Sequence, residues 1–262
     1  MDFEFTPRAR ELRDRMRSFM EQHVYPNERV YDRQLAEADD PHALPPVMRE
    51  LKEKARAEGL WNLFMSHGDW GAGLSNLEYA PLAELAGRSI IGPEVFNCSA
   101  PDTGNMELLA LFGTPQQQDR WLVPLLAAEI RSCFAMTEPE VASSDPRNLR
   151  TRITRDGDEY VVDGRKWYTS GILDPDCELI ILMGVSDPDA PTYRQQSMVL
   201  IPRDAHHLWI NCRLTPANCA ASGTVSSPRE IASSTARFAS GSFRMFTIVN
   251  SQISPSNAPM HR

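Results

Sequence analysis

No apolar run in the 262 residues approaches the roughly 20 needed to span a bilayer. The longest, Leu179–Val185, has the length of a strand. The first five residues, Met1-Asp2-Phe3-Glu4-Phe5, carry two acids and no apolar core segment, so no secretory leader is expected. Cysteine is sparse. The five residues Cys98, Cys133, Cys177, Cys212 and Cys219 are odd in number, and none forms a CxxC or zinc-knuckle pair, which points to reduced intracellular thiols and no metal. The adjacent His206-His207 do not amend that, because neighbouring side chains project differently. No G-x-S-x-G elbow is present, which removes that route to a hydrolase. The glycine-rich stretch Gly68–Gly73 follows no predicted strand and lacks the later acid of a dinucleotide fingerprint. It reads as a helix-linking loop.

Basic charge is also scarce. The formal net charge of −8 argues against a dedicated nucleic-acid binder. Its distribution is uneven, with −12 over residues 1–205 and +4 over residues 206–262. The second segment holds five arginines, ten serines, no lysine and Glu230 as its one acid. That shift reads as a boundary.

What is present in the first ~130 residues has helical period. Thr6-Pro7 is an N-cap with proline at the first helical position. Leu12, Met16, Phe19, Met20 and Val24 then form one stripe, which Pro26 is expected to break or kink. Further helices are predicted from Pro45/Pro46 to Ala57, closed by Gly59, then over Leu77–Arg88 and Met106–Phe112. Another follows Thr114-Pro115, with Gln117 as capping-box partner. From Ser132 the period becomes two. Strands are predicted at Cys133–Met136, Arg150–Thr154, Tyr160–Asp163, Lys166–Ser170, Leu179–Met183 and Ser197–Ile201, with a hairpin turn at Asp156-Gly157. Helices followed by antiparallel strands indicate an α+β protein.

Two segments carry possible chemistry. Cys133–Asp145 runs from a strand into the hydroxyl- and acid-rich loop Thr137-Glu138-Pro139-Glu140-Val141-Ala142-Ser143-Ser144-Asp145. Gly164-Arg165-Lys166-Trp167-Tyr168-Thr169-Ser170-Gly171 joins an aromatic pair to two hydroxyls. A planar redox ring could stack on such faces and bond such hydroxyls, although aromatic and hydroxyl residues are also ordinary in sheets.

In order and spacing these segments resemble the flavin-binding signatures of the acyl-CoA dehydrogenase family, the T-E-P loop and the G-x-K-x-W strand. Gly113-Thr114-Pro115-Gln116-Gln117 through Trp121-Leu122-Val123-Pro124-Leu125 is similar to that family's linker helix. Thr137–Asp145 and Tyr193–Ser197 are most like family members ten and eleven, and the T-E-P loop is one residue longer than the commonest form. The resemblance covers about residues 1–205. It implies a helical N-terminal domain (1–130), a partial middle β-barrel domain (131–205) and a Ser/Arg-rich tail (206–262), disordered or out of frame, with the family's C-terminal four-helix bundle absent. An arginine-to-lysine ratio of 24 to 3 points to a GC-rich gene, in which a frameshift near codon 206 would yield such a tail. An evolved tail and a splice or assembly artefact stay open.

The implied function is FAD-dependent α,β-dehydrogenation of acyl-CoA thioesters in fatty-acid oxidation, with this chain inactive alone. The alternative is a non-catalytic flavin- or partner-binding module of the same descent. By the resemblance Phe134, Ala135, Met136 and Thr137 line the isoalloxazine, Trp167 covers a ring face, Tyr168 adjoins it, and Thr169 bonds near N5. Ser143 or Ser144 meets flavin phosphate or substrate. Glu138 is assigned no catalytic role, since the family's base lies in its C-terminal domain. The implied partners are acyl-CoA, an electron-transfer flavoprotein or similar acceptor, and a second copy of the full-length chain. The implied compartment is the bacterial cytoplasm, or mitochondria or peroxisomes in a eukaryote.

Overall fold

The computed structural model describes residues 4–157, 159–205 and 245–247. The chain divides into two units, Met1–Cys133 with Ser170–Leu179, and Phe134–Thr169 with Ile180–Arg262.

The first unit is helical. Helix α1 (Pro7–Phe19) starts as its sequence dictates, with the Thr6 hydroxyl accepting from the Ala9 N–H and Pro7 at the first position. Where a break or kink is expected, a π-helical turn (Met20–Val24) leads directly into α2 (Tyr25–Glu37), which takes Pro26 in its first turn, where a missing N–H costs nothing. The predicted stripe is the core. Leu12, Met16, Phe19, Met20 and Val24 are all buried among Met48, Leu51, Leu82, Leu85 and Phe96, with Phe19 and Phe96 edge to face at 5.4 Å.

Helix α3 (Pro46–Ala57) ends where expected, with Gly59 at φ +66°. Helix α4 (Asn76–Ala86) is opened by a capping box between Ser75 and Glu78. A short α5 (Gly92–Val95), not anticipated, precedes α6 (Asp102–Phe112). The Thr114/Gln117 capping box forms as read and opens α7 (Pro115–Gln117), followed by a π-helical turn (Gln118–Leu122) and α8 (Val123–Leu126).

A buried ionic network crosses this unit. Glu94 of α5 pairs with both Lys52 of α3 and Arg131, and Arg131 Nε lies 2.7 Å from Asp102 Oδ2. Asp102 also accepts from the Ser132 N–H at 2.7 Å and the Ser132 hydroxyl at 2.5 Å. Burial pushes the Asp102 carboxyl above its ordinary range, against the pull of Arg131 and Ser132.

The strands form one sheet in the order β1-β4-β2-β3-β6, with β5 beside β4. They are β1 (Arg131–Ala135), β2 (Arg152–Asp156), β3 (Glu159–Asp163), β4 (Cys177–Val185), β5 (Gln196–Pro202) and β6 (Met245–Thr247). The α+β expectation holds. The β2–β3 hairpin pairs Asp156 with Glu159 and has Gly157 at φ +62°, as its turn demands.

Three expectations need correction. The sheet is mixed, since β2 runs parallel to β4 at Arg152↔Val185. Lys166–Ser170 is not a strand, because Tyr168 sits at φ +49° and interrupts any extended run. The disorder expected as one alternative for the 206–262 tail does not hold at Met245–Thr247, where β6 pairs antiparallel with β3 (Val162↔Met245 to Tyr160↔Thr247), while the out-of-frame alternative is untouched by that pairing. The rest of that expectation, over residues 206–244 and 248–262, lies outside the described residues, as do Cys212, Cys219 and His206-His207.

Candidate functional site

Within the second unit, residues 134–145 and 164–169 of the two singled-out segments lie side by side. The Trp167 N–H donates to the Thr137 carbonyl at 3.0 Å. One residue before each partner a second tie forms, with Lys166 Nζ donating to the Met136 carbonyl at 2.9 Å. The same ammonium reaches Glu138 Oε1 at 2.8 Å.

Glu138 is the anchor of this arrangement. Its residue is 3% exposed, and its carboxylate also accepts from the Thr151 N–H at 2.9 Å and the Arg150 N–H at 2.8 Å. Burial raises its pKa, but the Lys166 ammonium and the Thr151 and Arg150 donors outweigh that and hold it at about 2. A carboxylate so held has no use for a proton near neutrality.

The loop after Glu138 is fixed by its own hydroxyl. Ser143 Oγ accepts from the Glu138 N–H at 2.7 Å, and its hydrogen has Val141 O within reach at 3.1 Å. Ser143 is buried and Ser144 is exposed. Asp145 then grips Arg147 and caps a short 3₁₀ turn (Pro146–Asn148), while Arg165 pairs with Glu140.

Above this scaffold the remaining residues present their surfaces. Trp167 and Tyr168 are 45% and 78% exposed, with ring centroids 4.4 Å apart. Thr137 and Thr169 are half-buried, as are Phe134 and Met136. Ala135 and Ser143 are buried, so their side chains face inward.

The sequence reading gave no role to Lys166, Arg150, Thr151 or Gly164. A Cβ on Gly164 would lie 2.3 Å from Thr151 Oγ1, so only glycine lets the chain pass that close to the Glu138 anchor. Lys166 did carry a signal. It is one of three lysines beside 24 arginines, and it and Lys52 both serve buried carboxylates. Among the described residues no cluster of His, Cys, Asp and Glu could hold a metal, and no helix is long and apolar enough to cross a membrane.

A helical N-terminal unit leading into a sheet unit is an architecture shared with known proteins. Residues 6–129 match the acyl-CoA dehydrogenase N-terminal domain, and residues 133–227 match the acyl-CoA dehydrogenase middle domain. The second match continues past residue 205, where the resemblance had been read to end. FadE2 of Mycobacterium tuberculosis, named as a probable acyl-CoA dehydrogenase, is 54% identical over 219 residues, covering 82% of this chain and 53% of that protein. Mouse acyl-CoA dehydrogenase family member 10 is 53% identical over 205 residues, covering 76% of this chain and 19% of that protein. A solved structure from Mycobacterium abscessus, described as an acyl-CoA dehydrogenase, superposes with a TM-score of 0.77 at 46% identity, covering 82% of this chain and 55% of that one. The chain belongs to the acyl-CoA dehydrogenase family, as its N-terminal and middle domains. It spans about half the length of the mycobacterial relatives it matches.

Proposed function

We propose that the second unit holds the flavin-facing part of an FAD-dependent acyl-CoA dehydrogenase, which removes the α- and β-hydrogens of an acyl-CoA thioester. The observation that carries this reading is the juxtaposition of the Thr137 and Trp167 segments, tied backbone to backbone over the Glu138–Lys166 anchor. The donor set fits a flavin. An exposed indole face and two half-buried hydroxyls on neighbouring segments suit a flat ring with a polar edge.

In this reading Trp167 and Tyr168 cover the ring, the Thr137 and Thr169 hydroxyls bond its polar edge, and the Phe134–Thr137 backbone lines it. When bound, FAD would supply the acceptor for the β-hydride. Ser144, exposed where Ser143 is enclosed, is the hydroxyl offered to a phosphate or to the thioester side of the substrate. Glu138 stays ionised and orients the loop. No base for the α-proton is assigned among the described residues. Electrons would leave to an electron-transfer flavoprotein or a similar acceptor.

Titration of FAD with the purified chain tests the site. Saturable quenching of flavin fluorescence is expected, with Trp167→Ala and Thr169→Val each weakening binding about tenfold, the scale of one lost stacking or hydrogen-bonding partner. Ser144→Ala should lower ligand affinity at unchanged stability. Ser143→Ala should cost about 1 kcal/mol of stability through the opened loop. Variants that bind FAD as the parent does would sink the assignment.

A further inference from the structure

We propose that Lys166 is a positioning residue whose compact ammonium, and no guanidinium, sets the placement of Trp167. The inference rests on the reading of Trp167 as the flavin platform, but its central measurement does not need flavin. Three observations carry it. First, Lys166 Nζ spends its donors on two different groups of the T-E-P segment, the Met136 carbonyl at 2.9 Å and the Glu138 carboxylate at 2.8 Å. Its side chain is 8% exposed, so water does not replace either partner freely. Second, the residue it precedes makes the parallel tie, Trp167 N–H to Thr137 O at 3.0 Å. Side chain 166 and backbone 167 thus stitch the two segments at adjacent carbonyls. Third, this stretch has no strand ladder to hold it, since residues 164–169 form neither helix nor strand and Tyr168 is left-handed at φ +49°. The indole is half-exposed, so burial does not fix it either. Beside the surface pair Arg165–Glu140 and the Trp167–Tyr168 ring contact, the stitch at residues 166 and 167 is the buried tie that holds it.

The chemical choice supports the same conclusion. Arginine supplies 24 of the 27 basic residues, yet this position is lysine. An ammonium is a compact point donor on a flexible stem and can converge on a carbonyl and a carboxylate in a small space. A planar guanidinium is larger and presents a rigid fork. Lys166→Arg should keep the charge opposite Glu138 while pushing the 166–168 backbone away from Met136.

The test labels the whole chain with 5-fluorotryptophan and assigns the Trp167 resonance in the ¹⁹F spectrum by Trp167→Phe. Lys166→Arg and Lys166→Met are expected to move or broaden the Trp167 resonance and leave those of Trp61 and Trp121 in place. FAD affinity should fall tenfold or more in both. Lys166→Met leaves Glu138 buried without its cation, so a second variant accompanies it. The double variant Glu138→Gln/Lys166→Met removes that unpaired charge. A merely structural pair would be restored by it in both stability and Trp167 resonance, whereas a positioning Lys166 leaves the resonance displaced, because Met136 still lacks its donor.

A Trp167 resonance unmoved in Lys166→Arg and in the double variant, with FAD affinity within twofold of the parent, overturns the proposal. Should the resonance move while the parent chain binds no FAD, the positioning role stands and the flavin reading fails. Should the parent bind FAD through Trp167 while the resonance stays, the reverse holds.

Discussion

Glu138 gathers the Lys166 ammonium and the Arg150 and Thr151 N–H groups around one buried carboxylate, and its protonation has a readable consequence. Its pKa lies at about 2 against an ordinary 4.5. A carboxylate lowered on folding adds stability that is complete above its unfolded pKa and disappears as pH falls through the folded one. The window is therefore between pH 4.5 and about 2. A depression of this size corresponds to about 3 kcal/mol at roughly 1.4 kcal/mol per unit. Urea denaturation from pH 6 to 2.5 should show the parent losing this increment across the window, while Glu138→Gln begins lower and runs flatter. Near neutrality the variant should cost about 3–5 kcal/mol, because Lys166 is left charged and buried without its partner. Parallel curves for the two proteins would show that the carboxylate is not held as described.

Among elements, the short α5 does the most for its length. It is four residues long, yet Glu94 brings two cations together, the buried Lys52 of α3 and the half-buried Arg131 at the start of β1. Gly92, its first residue, has no room for a side chain, since a Cβ there would meet the Ala86 carbonyl oxygen at 2.2 Å. The helix is thus pinned at one end by close approach and at the other by charge. Glu94→Gln should destabilise the chain by about 3–5 kcal/mol, as it leaves the buried Lys52 without its carboxylate and Arg131 with Asp102 alone. A loss below about 1 kcal/mol in thermal or urea unfolding would mean the network is not closed as drawn. Periodicity could not reveal this element. Four residues are too few for a 3.6 period, and its partners come from positions 42 residues before and 37 after it.

At the scale of the whole molecule, a ligand that binds only the folded second unit must stabilise it by mass action. FAD at a hundred times its Kd adds about 2.7 kcal/mol. Amide hydrogen exchange with and without FAD should show protection over residues 134–169, which Trp167→Ala cuts to about 1.4 kcal/mol at the same FAD concentration. Protection spread evenly over both units would point to unspecific binding instead.

Local chemistry already wrote much of this protein into its sequence. The apolar stripe of α1, the Thr114/Gln117 cap, the Gly59 terminus and the Gly157 turn each depend on residues within a few positions of one another, and each is found where it was read. The pairing of the T-E-P loop with the tryptophan segment was legible as well, as a resemblance of motifs. Local spacing placed a break or kink at Pro26, and the α-helical run is interrupted there by the π turn just before it, a form of interruption that spacing does not specify. It also took Lys166–Ser170 for a strand, since one positive φ at Tyr168 leaves no mark in composition. Three-dimensional packing alone decided what holds the site. Burial of Glu138, its convergence with Lys166, Arg150 and Thr151, and the enclosure of Ser143 beside an exposed Ser144 all join residues distant in the chain or distinguish neighbours of identical chemistry. Charge pairing and desolvation act through space, and only the folded chain specifies which groups share it.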